Sequence, residues 1–379
     1  MSAPELGLYV HWPYCAAICP YCDFNVYRSR GEDRSALIEA IATDLAAHAE
    51  RFGKREAVSL FFGGGTPSLL RGAEIARLIE AADCAFGLAS DCEVTLEANP
   101  EDLALFAEHA AAGINRFSVG VQALDDAALK ALGRWHDAAR AVEAVEAAAA
   151  TGKRVSLDLI YAREGQNLPD WRAELQQALA LPVEHVSLYQ LTIEPDTAFA
   201  RRLARGELKP PDNEAAARFY EVTQEVCDAA GFPAYEISNH ARSQAARSRH
   251  NALYWRSQDW VGVGPGAHGR ITQRSARIAL EAARRPADYI AAVAQHGIAA
   301  ASEEALSGEA IADEMLIMGL RIEEGVDRAD FERLRGRPIQ QRALDMLLGE
   351  GLITLAGGRI RVTPRGRVLT NSIAAELAA

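Results

Sequence analysis

Cys15, Cys19 and Cys22 lie in the run His11-Trp-Pro-Tyr-Cys-Ala-Ala-Ile-Cys-Pro-Tyr-Cys-Asp-Phe24, a C-x3-C-x2-C spacing. Thiolates are the usual ligands of iron–sulfur clusters, and a cubane [4Fe–4S] cluster has four irons to ligate. Three closely spaced thiolates hold three irons and leave the fourth open to a small molecule, which turns an electron carrier into a candidate catalyst. Two other chemistries use the same residues. With His11 the three thiolates could close a tetrahedral Cys3His zinc site, or the triplet could be a structural or redox device. No second cysteine knuckle of the kind common in zinc domains follows. Cys84, Cys92 and Cys227 stand alone in apolar surroundings and are expected to fill core.

Such a loop needs a scaffold, and the first half of the chain supplies one. Apolar, β-rich runs at 6–11, 57–62, 92–97, 115–121, 154–161 and 185–191 alternate with Ala-rich amphipathic stretches such as 34–51, 101–112 and 138–151. Six βα repeats predict a parallel sheet with outer helices, curved as a partial barrel and too short to close as eight strands. The cysteine loop follows the first strand, and Gly63-Gly64-Gly65-Thr66-Pro67 follows the second. Glu97 ends the third, Gln122 ends the fourth, and Asp158 lies late in the fifth. Chemistry in such folds sits at the C-terminal ends of the strands, so five segments are expected on one rim.

Residues 236–269 read differently, with His250-Asn-Ala-Leu-Tyr-Trp255 followed by Gly262-Val-Gly-Pro-Gly-Ala-His-Gly269. Glycine at that density predicts tight turns and close backbone approach. From about residue 307, helices near 309–321 and 338–349 precede two short strands at 352–355 and 359–363 around a Gly357-Gly358 turn, then a last helix. This predicts a small winged-helix-like domain. Its 10 Lys+Arg against 11 Asp+Glu, in a chain of net charge −12, argue against nucleic acid as a partner and for a structural or protein-binding role. The 379 residues contain no apolar run of membrane-spanning length, and no secretory signal pattern precedes Leu6, so a cytoplasmic protein is expected, with transient membrane contact left open.

Together these residues resemble the radical S-adenosylmethionine (SAM) enzymes. The resemblance implies a partial (β/α)6 TIM-like barrel in which Cys15, Cys19 and Cys22 hold a [4Fe–4S] cluster and SAM binds its open iron, where reductive cleavage yields a 5′-deoxyadenosyl radical. It further implies that Gly64, Gly65 and Thr66 present backbone groups to the methionyl amine and that Tyr9 and Tyr21 pack on SAM. Glu97, Gln122, Arg134 and Asp158 would make further polar contacts to it. Taken singly, Glu97 and Asp158 also read as helix caps and Arg134 as a solvated charge.

The similarity runs over nearly the whole chain and is strongest to the HemN/HemW group, nearer its haem-chaperone (HemW) branch. The HemN pattern continues to a fourth cysteine, where this chain has Phe24, and Cys15 comes too early for the longer leading segment of HemN. His250-Asn251-Ala-Leu-Tyr254-Trp255 matches the HNxxYW motif associated with haem in the HemW branch. On that basis His250 is expected as an iron ligand, Asn251, Tyr254 and Trp255 as haem contacts, and Arg247 and Arg249 as propionate partners. A histidine beside aromatics also reads as a hydrogen-bonded core residue.

The resemblance thus implies a haem chaperone that passes haem to an acceptor, respiratory and membrane-bound in expectation, with a homodimer left open. The alternative is an oxygen-independent coproporphyrinogen III dehydrogenase; a zinc or redox scaffold is third. The expected domains are 1–235 (radical SAM core), 236–305 (HNxxYW and Gly-rich segment with connecting helices) and 306–379 (winged-helix-like). One departure stands out: after Asp158-Leu-Ile-Tyr161 the group usually has Gly/Ala-Leu-Pro-Gly-Gln, and here Arg163-Glu164 replace Leu-Pro.

Overall fold

Residues 4–31, 33–274 and 276–379 are described by a computed structural model. The six predicted strands form as β1 (Leu6–Trp12), β2 (Ala57–Gly64), β3 (Leu88–Ala98), β4 (Arg116–Gln122), β5 (Arg154–Tyr161) and β6 (His185–Gln190). They pair in chain order and in parallel. The connecting helices include α1 (Ser35–Phe52), α2 (Gly72–Phe86), α3 (Ala138–Ala150) and α4 (Leu168–Leu179). The stretch expected as a helix over 101–112 starts as a 3-10 turn, Pro100–Leu105, because Asn99 caps at Glu101 N and Pro100 sets the first position.

The residues from 236 onward differ from expectation. Besides the Gly-rich turns and the expected connecting helices Arg249–Trp255 and Pro286–His296, they supply β7 (Asn239–Ala241), β8 (Asp259–Val263), β9 (His268–Gln273), β10 (Ala276–Ala282) and β11 (Ala300–Ala305), all in the same sheet as the barrel strands. The sheet runs β11-β10-β9-β8-β1-β2-β3-β4-β5-β6-β7. β8 lies parallel to β1, so the parallel run has seven strands, and antiparallel pairs finish both edges. The glycines explain the join. A Cβ on Gly264 would lie 2.2 Å from His11 O, and one on Gly262 2.1 Å from His268 O. The close approach predicted for this segment is therefore to the chain itself, at the end of β1.

Alternation along the strands separates two environments. Leu6, Leu8, Val10 and Trp12 of β1, with Leu60, Phe62, Val94, Leu96, Phe117, Val119, Leu157 and Leu159, are buried in the main core against the helices. The intervening residues face inward and are mostly polar: Tyr9, Thr95, Glu97, Arg116, Ser118, Ser156, Asp158, His185, Ser187 and Tyr189 line the interior. A polar barrel interior is costly unless its groups bond each other or a ligand.

The C-terminal unit has its own core around Leu316, Phe331, Leu344, Ile353, Ile360 and Ile373. Its helices α5 (Gly308–Gly319), α6 (Arg328–Arg335), α7 (Gln341–Gly349) and α8 (Thr370–Ala378) surround a three-stranded sheet whose hairpin turns at Gly357-Gly358, both at positive φ. This is the predicted winged-helix-like form. Arg247–Glu323 (2.6 Å) and Arg270–Glu314 (2.8 Å) tie it to the barrel. Cys92 and Cys227 are buried as expected; Cys84 is exposed, because it lies on the outer face of α2, beside Asp83.

Candidate functional site

At the C-terminal end of the strands a cavity of 580 Å³ opens over the cysteine loop. It brings together Cys15, Cys19, Cys22, Tyr21, Gly64, Gly65, Thr66, Glu97, Gln122, Arg134 and Asp158, which reach it from the ends of β1 to β5 and the loops after them. Gly65 N donates to Trp12 O (2.6 Å), Thr66 N to Tyr14 O (2.9 Å) and Gly64 N to Glu97 Oε2 (3.1 Å). A Cβ on Gly64 would lie 2.5 Å from the His11 ring, and one on Gly65 2.8 Å from Trp12 O and Tyr14 O. These glycines therefore let β2 pack against the cysteine loop.

Arg134 reaches across to the same loop. It donates to Cys19 Sγ (3.5 Å), Asn99 Oδ1 (3.3 Å) and Gly120 O (3.3 Å). Gln122 has φ 67°, a left-handed conformation rare outside glycine, and its amide occupies the space a Cβ on Gly120 would need. Asp158 accepts from Ser118 Oγ at 3.1 and 3.2 Å. Burial pushes the Glu97 carboxyl up to about 8, with Asp158 across the cavity adding to it; burial pushes Asp158 up to about 6 against the hydrogen bonds of Ser187 and Ser118.

A second chamber of 270 Å³ lies beneath, at the barrel floor. The HNxxYW motif is here, on the helix α9 (Arg249–Trp255). His250 is 1% exposed, with Nδ1 bonded to Ser59 Oγ (2.9 Å) and Nε2 to Tyr254 Oη (2.7 Å). Burial pushes its imidazolium down to about 3, so it is neutral and both ring nitrogens are occupied. His250, expected as the iron ligand, sits at the floor because Gly7 leaves room for Leu253 and His250 to pack on β1. Asn251 and Tyr254 line the same chamber; Trp255 does not.

The expected propionate partners are also committed, Arg247 to Glu323 and Arg249 to Asp91 (2.8 Å). Tyr9 faces the floor chamber, not the upper cavity: its hydroxyl meets His11 Nδ1 (3.0 Å) and its ring stacks near Phe61 and His250. His11 Nε2 meets Asn25 O (2.9 Å), so both of its ring nitrogens are hydrogen-bonded within the chain. Among the described residues, no three His, Cys, Asp or Glu side chains converge as on one ion.

The sequence matches the Radical SAM superfamily over residues 9–178 and the HemN C-terminal domain over 306–369. It is 36% identical to "Heme chaperone HemW" of Mycobacterium tuberculosis, covering 98% of this chain and 95% of that one. It is 33% identical to the Escherichia coli protein of the same name, covering 98% of each. The chain belongs to the HemN/HemW group of the radical SAM superfamily. A mitochondrial relative in Danio rerio, "Radical S-adenosyl methionine domain-containing protein 1", is 36% identical over 98% of this chain and 86% of its own length. The fold is that of the Escherichia coli coproporphyrinogen III oxidase HemN, at TM-score 0.82 and 22% identity over 100% of this chain and 91% of that one.

Radical SAM membership implies a [4Fe–4S] cluster and SAM, and the residues fit both. Burial and mutual charge raise the Cys15 thiol, and burial raises Cys22 to about 11, so the loop needs multiple positive charge to hold its thiolates. A cluster supplies that charge and an iron that SAM can reach. Cys15, Cys19 and Cys22 would hold it, and the guanidinium of Arg134 would steady the Cys19 sulfur. Glu97, held by Gly64 N, would take the ammonium of SAM.

The Arg163-Glu164 departure leaves this cavity intact. Arg163 turns away from it and forks onto Glu174 of α4 at 3.1 and 2.6 Å, while Glu174 also takes Leu124 N (2.8 Å). Glu164 accepts Lys209 N (2.7 Å). Sequence reasoning missed Ser118, Asn99 and Tyr189. Tyr189 is 45% accessible although it sits near the end of β6 inside the barrel, because that surface faces both chambers. Its signal was its place at the C-terminal end of a barrel strand, the same rule that picks out Glu97.

Proposed function

We propose that the chain is a haem chaperone: it binds haem together with a SAM-bound [4Fe–4S] cluster and delivers haem to an acceptor haem protein. The observation that carries this is the wide cavity over the three cysteines in a chain that aligns end to end with two proteins named heme chaperones. Phe24, where a fourth cysteine would stand in HemN, favours the same branch. Cys15, Cys19 and Cys22 hold the cluster; Tyr21, Gly64, Gly65, Thr66, Glu97, Gln122, Arg134 and Asp158 hold SAM. Working in the cytoplasm, the protein would meet a respiratory, membrane-bound acceptor from the aqueous side, and no helix among the described residues is long and apolar enough to cross a membrane.

The test is an anaerobic haem titration of the cluster-loaded protein, read at the Soret band. Saturation near one haem per chain supports the reading, and absence of specific binding sinks it. Vinyl product from coproporphyrinogen III with SAM would replace it with the dehydrogenase.

A further inference from the structure

Two buried polar atoms at the floor of the barrel have no partner among the described residues: Thr95 Oγ1 and Arg116 Nη2. Their residues stand in register on β3 and β4, line the same 270 Å³ chamber and are 1% and 2% exposed. Arg116 directs its other terminal nitrogen, Nη1, to Ala246 O (3.0 Å) and Glu93 Oε2 (3.4 Å). Glu93 also serves Arg154 (3.0 Å) and the N–H groups of Arg249 (2.8 Å) and His250 (3.2 Å), so Arg116 is its longest contact. A buried guanidinium with unpaired N–H groups and a shared counterion is unfavourable unless something else accepts from it. Neighbouring groups of the chamber, Ser156 with His185 and His250 with Tyr254, are by contrast satisfied within the chain.

The chemistry of the pair narrows what that acceptor is. A guanidinium nitrogen only donates and a hydroxyl can donate, and a carboxylate answers both with two oxygens and a matching charge. The chamber's 270 Å³ admits a carboxylate on a short alkyl stem. Glu97 and Ser118, two residues further along the same strands, stand roughly 6.6 Å nearer the mouth, so the acidic level of the barrel lies above the pair. Glu97, Ser118, Asp158 and Tyr189 line both chambers, and the way down from the upper cavity therefore passes Tyr189. We propose that the barrel floor is a carboxylate site, where Arg116 Nη2 and the Thr95 hydroxyl donate to one carboxylate, supplied by a propionate of haem or by a free small acid. The haem source rests on the haem-chaperone reading and makes α9 part of the hold, since His250, Asn251 and Tyr254 wall the same chamber. The free-acid source does not depend on that reading.

The test uses the anaerobic, cluster-loaded full chain with two probes. Sodium propionate is compared with sodium chloride at equal ionic strength by thermal melting, and haem with haem dimethyl ester in one detergent by Soret titration. If haem supplies the carboxylate, haem binds at least about tenfold more tightly than the ester. Sodium propionate then competes with haem, and Thr95→Val removes the preference. If a free acid supplies it, haem and ester bind alike, and sodium propionate raises the melting temperature saturably in wild type and not in Thr95→Val. Without ligand Thr95→Val melts no lower than wild type, because the hydroxyl it loses bonds to nothing in the chain, and Thr95→Ser keeps the wild-type responses. Wild type with neither a preference for haem over its ester nor a saturable propionate response overturns the site, even if Thr95→Val fails to fold. A response that survives intact in a folded Thr95→Val overturns it too. Haem binding with no carboxylate effect leaves the chaperone reading standing without this site; propionate saturation with no haem binding leaves the site standing without that reading.

Discussion

The mouth and the floor of the barrel are made from the same strands and carry equally polar side chains, but they treat those side chains differently. At the floor most groups have a partner in the chain: Ser59 with His250, His250 with Tyr254, Ser156 with His185 (2.7 Å), His185 with Tyr235 (2.9 Å) and Arg116 with Glu93 (3.4 Å), while Thr95 Oγ1 and Arg116 Nη2 are buried without one. At the mouth, Glu97 has one backbone donor, Cys19 has Arg134, and Ile18, Phe24 and Trp135 face water. A closed polar network specifies a structure, whereas polar groups left facing a cavity wait for a ligand. The position of a motif along the barrel axis therefore decides whether its chemistry is turned inward on the fold or outward to a substrate.

Substitutions at the two levels should separate cleanly. Cys19→Ala at the mouth is expected to abolish cluster binding with the barrel still folded; wild-type iron and sulfide content in that variant would break the ligand assignment. At the floor, Arg116→Met removes one partner of Glu93, which keeps Arg154 (3.0 Å) and the N–H groups of Arg249 and His250, and is expected to cost about 1–3 kcal/mol of stability, read as a fall in the urea midpoint. A loss below about 1 kcal/mol would mean the floor network is loosely held. His250→Ala leaves Ser59 and Tyr254 without their common partner and opens a small cavity, for a loss of about 2–3 kcal/mol. Haem affinity is expected to fall in that variant with cluster content unchanged, and unchanged affinity would clear His250 of a role in haem binding.

A pH series sharpens the same comparison with a smaller effect. Glu97 has its carboxyl raised from 4.5 to about 8 by burial and by Asp158. The folded form therefore holds a proton that the unfolded form has lost, and the stability of the ligand-free protein falls as pH rises from about 4.5 to about 8. Water in the cavity softens this slope. Glu97→Gln should flatten it in thermal melts between pH 5 and 8, and an unaltered slope would show that Glu97 is not the group responsible. The smallest change is expected at Glu164→Ala, within about 0.5 kcal/mol because its partners are at the surface.

Much of the mouth was legible because its signals are local. Cysteine spacing, the glycine run and a polar residue at the end of each strand can be read within a few residues, and strand order made them converge. The floor was ambiguous in the sequence for the opposite reason. His250 meets Ser59 across 191 residues, and Arg249 meets Asp91 across 158. The motif's residue types fit a haem pocket and a packed core equally well. The parallel strand at 259–263 was hidden among glycines that read as turns, though they are there so that β8 can approach β1. Arg163 read as a disturbance of the rim until Glu174, eleven residues on, was seen to hold it.

The sequence by itself determined the cysteine triplet, the βα repeat and the alternation that makes one face of each strand polar. These follow from covalent spacing and from the two-residue period of a strand, which need no knowledge of distant contacts. Only the tertiary structure decided which polar residues face a ligand and which satisfy one another. That choice depends on how α9 and β8 close against β1, where Gly7 and Gly264 admit neighbours from more than two hundred residues away, and packing of that kind is a property of the assembled chain.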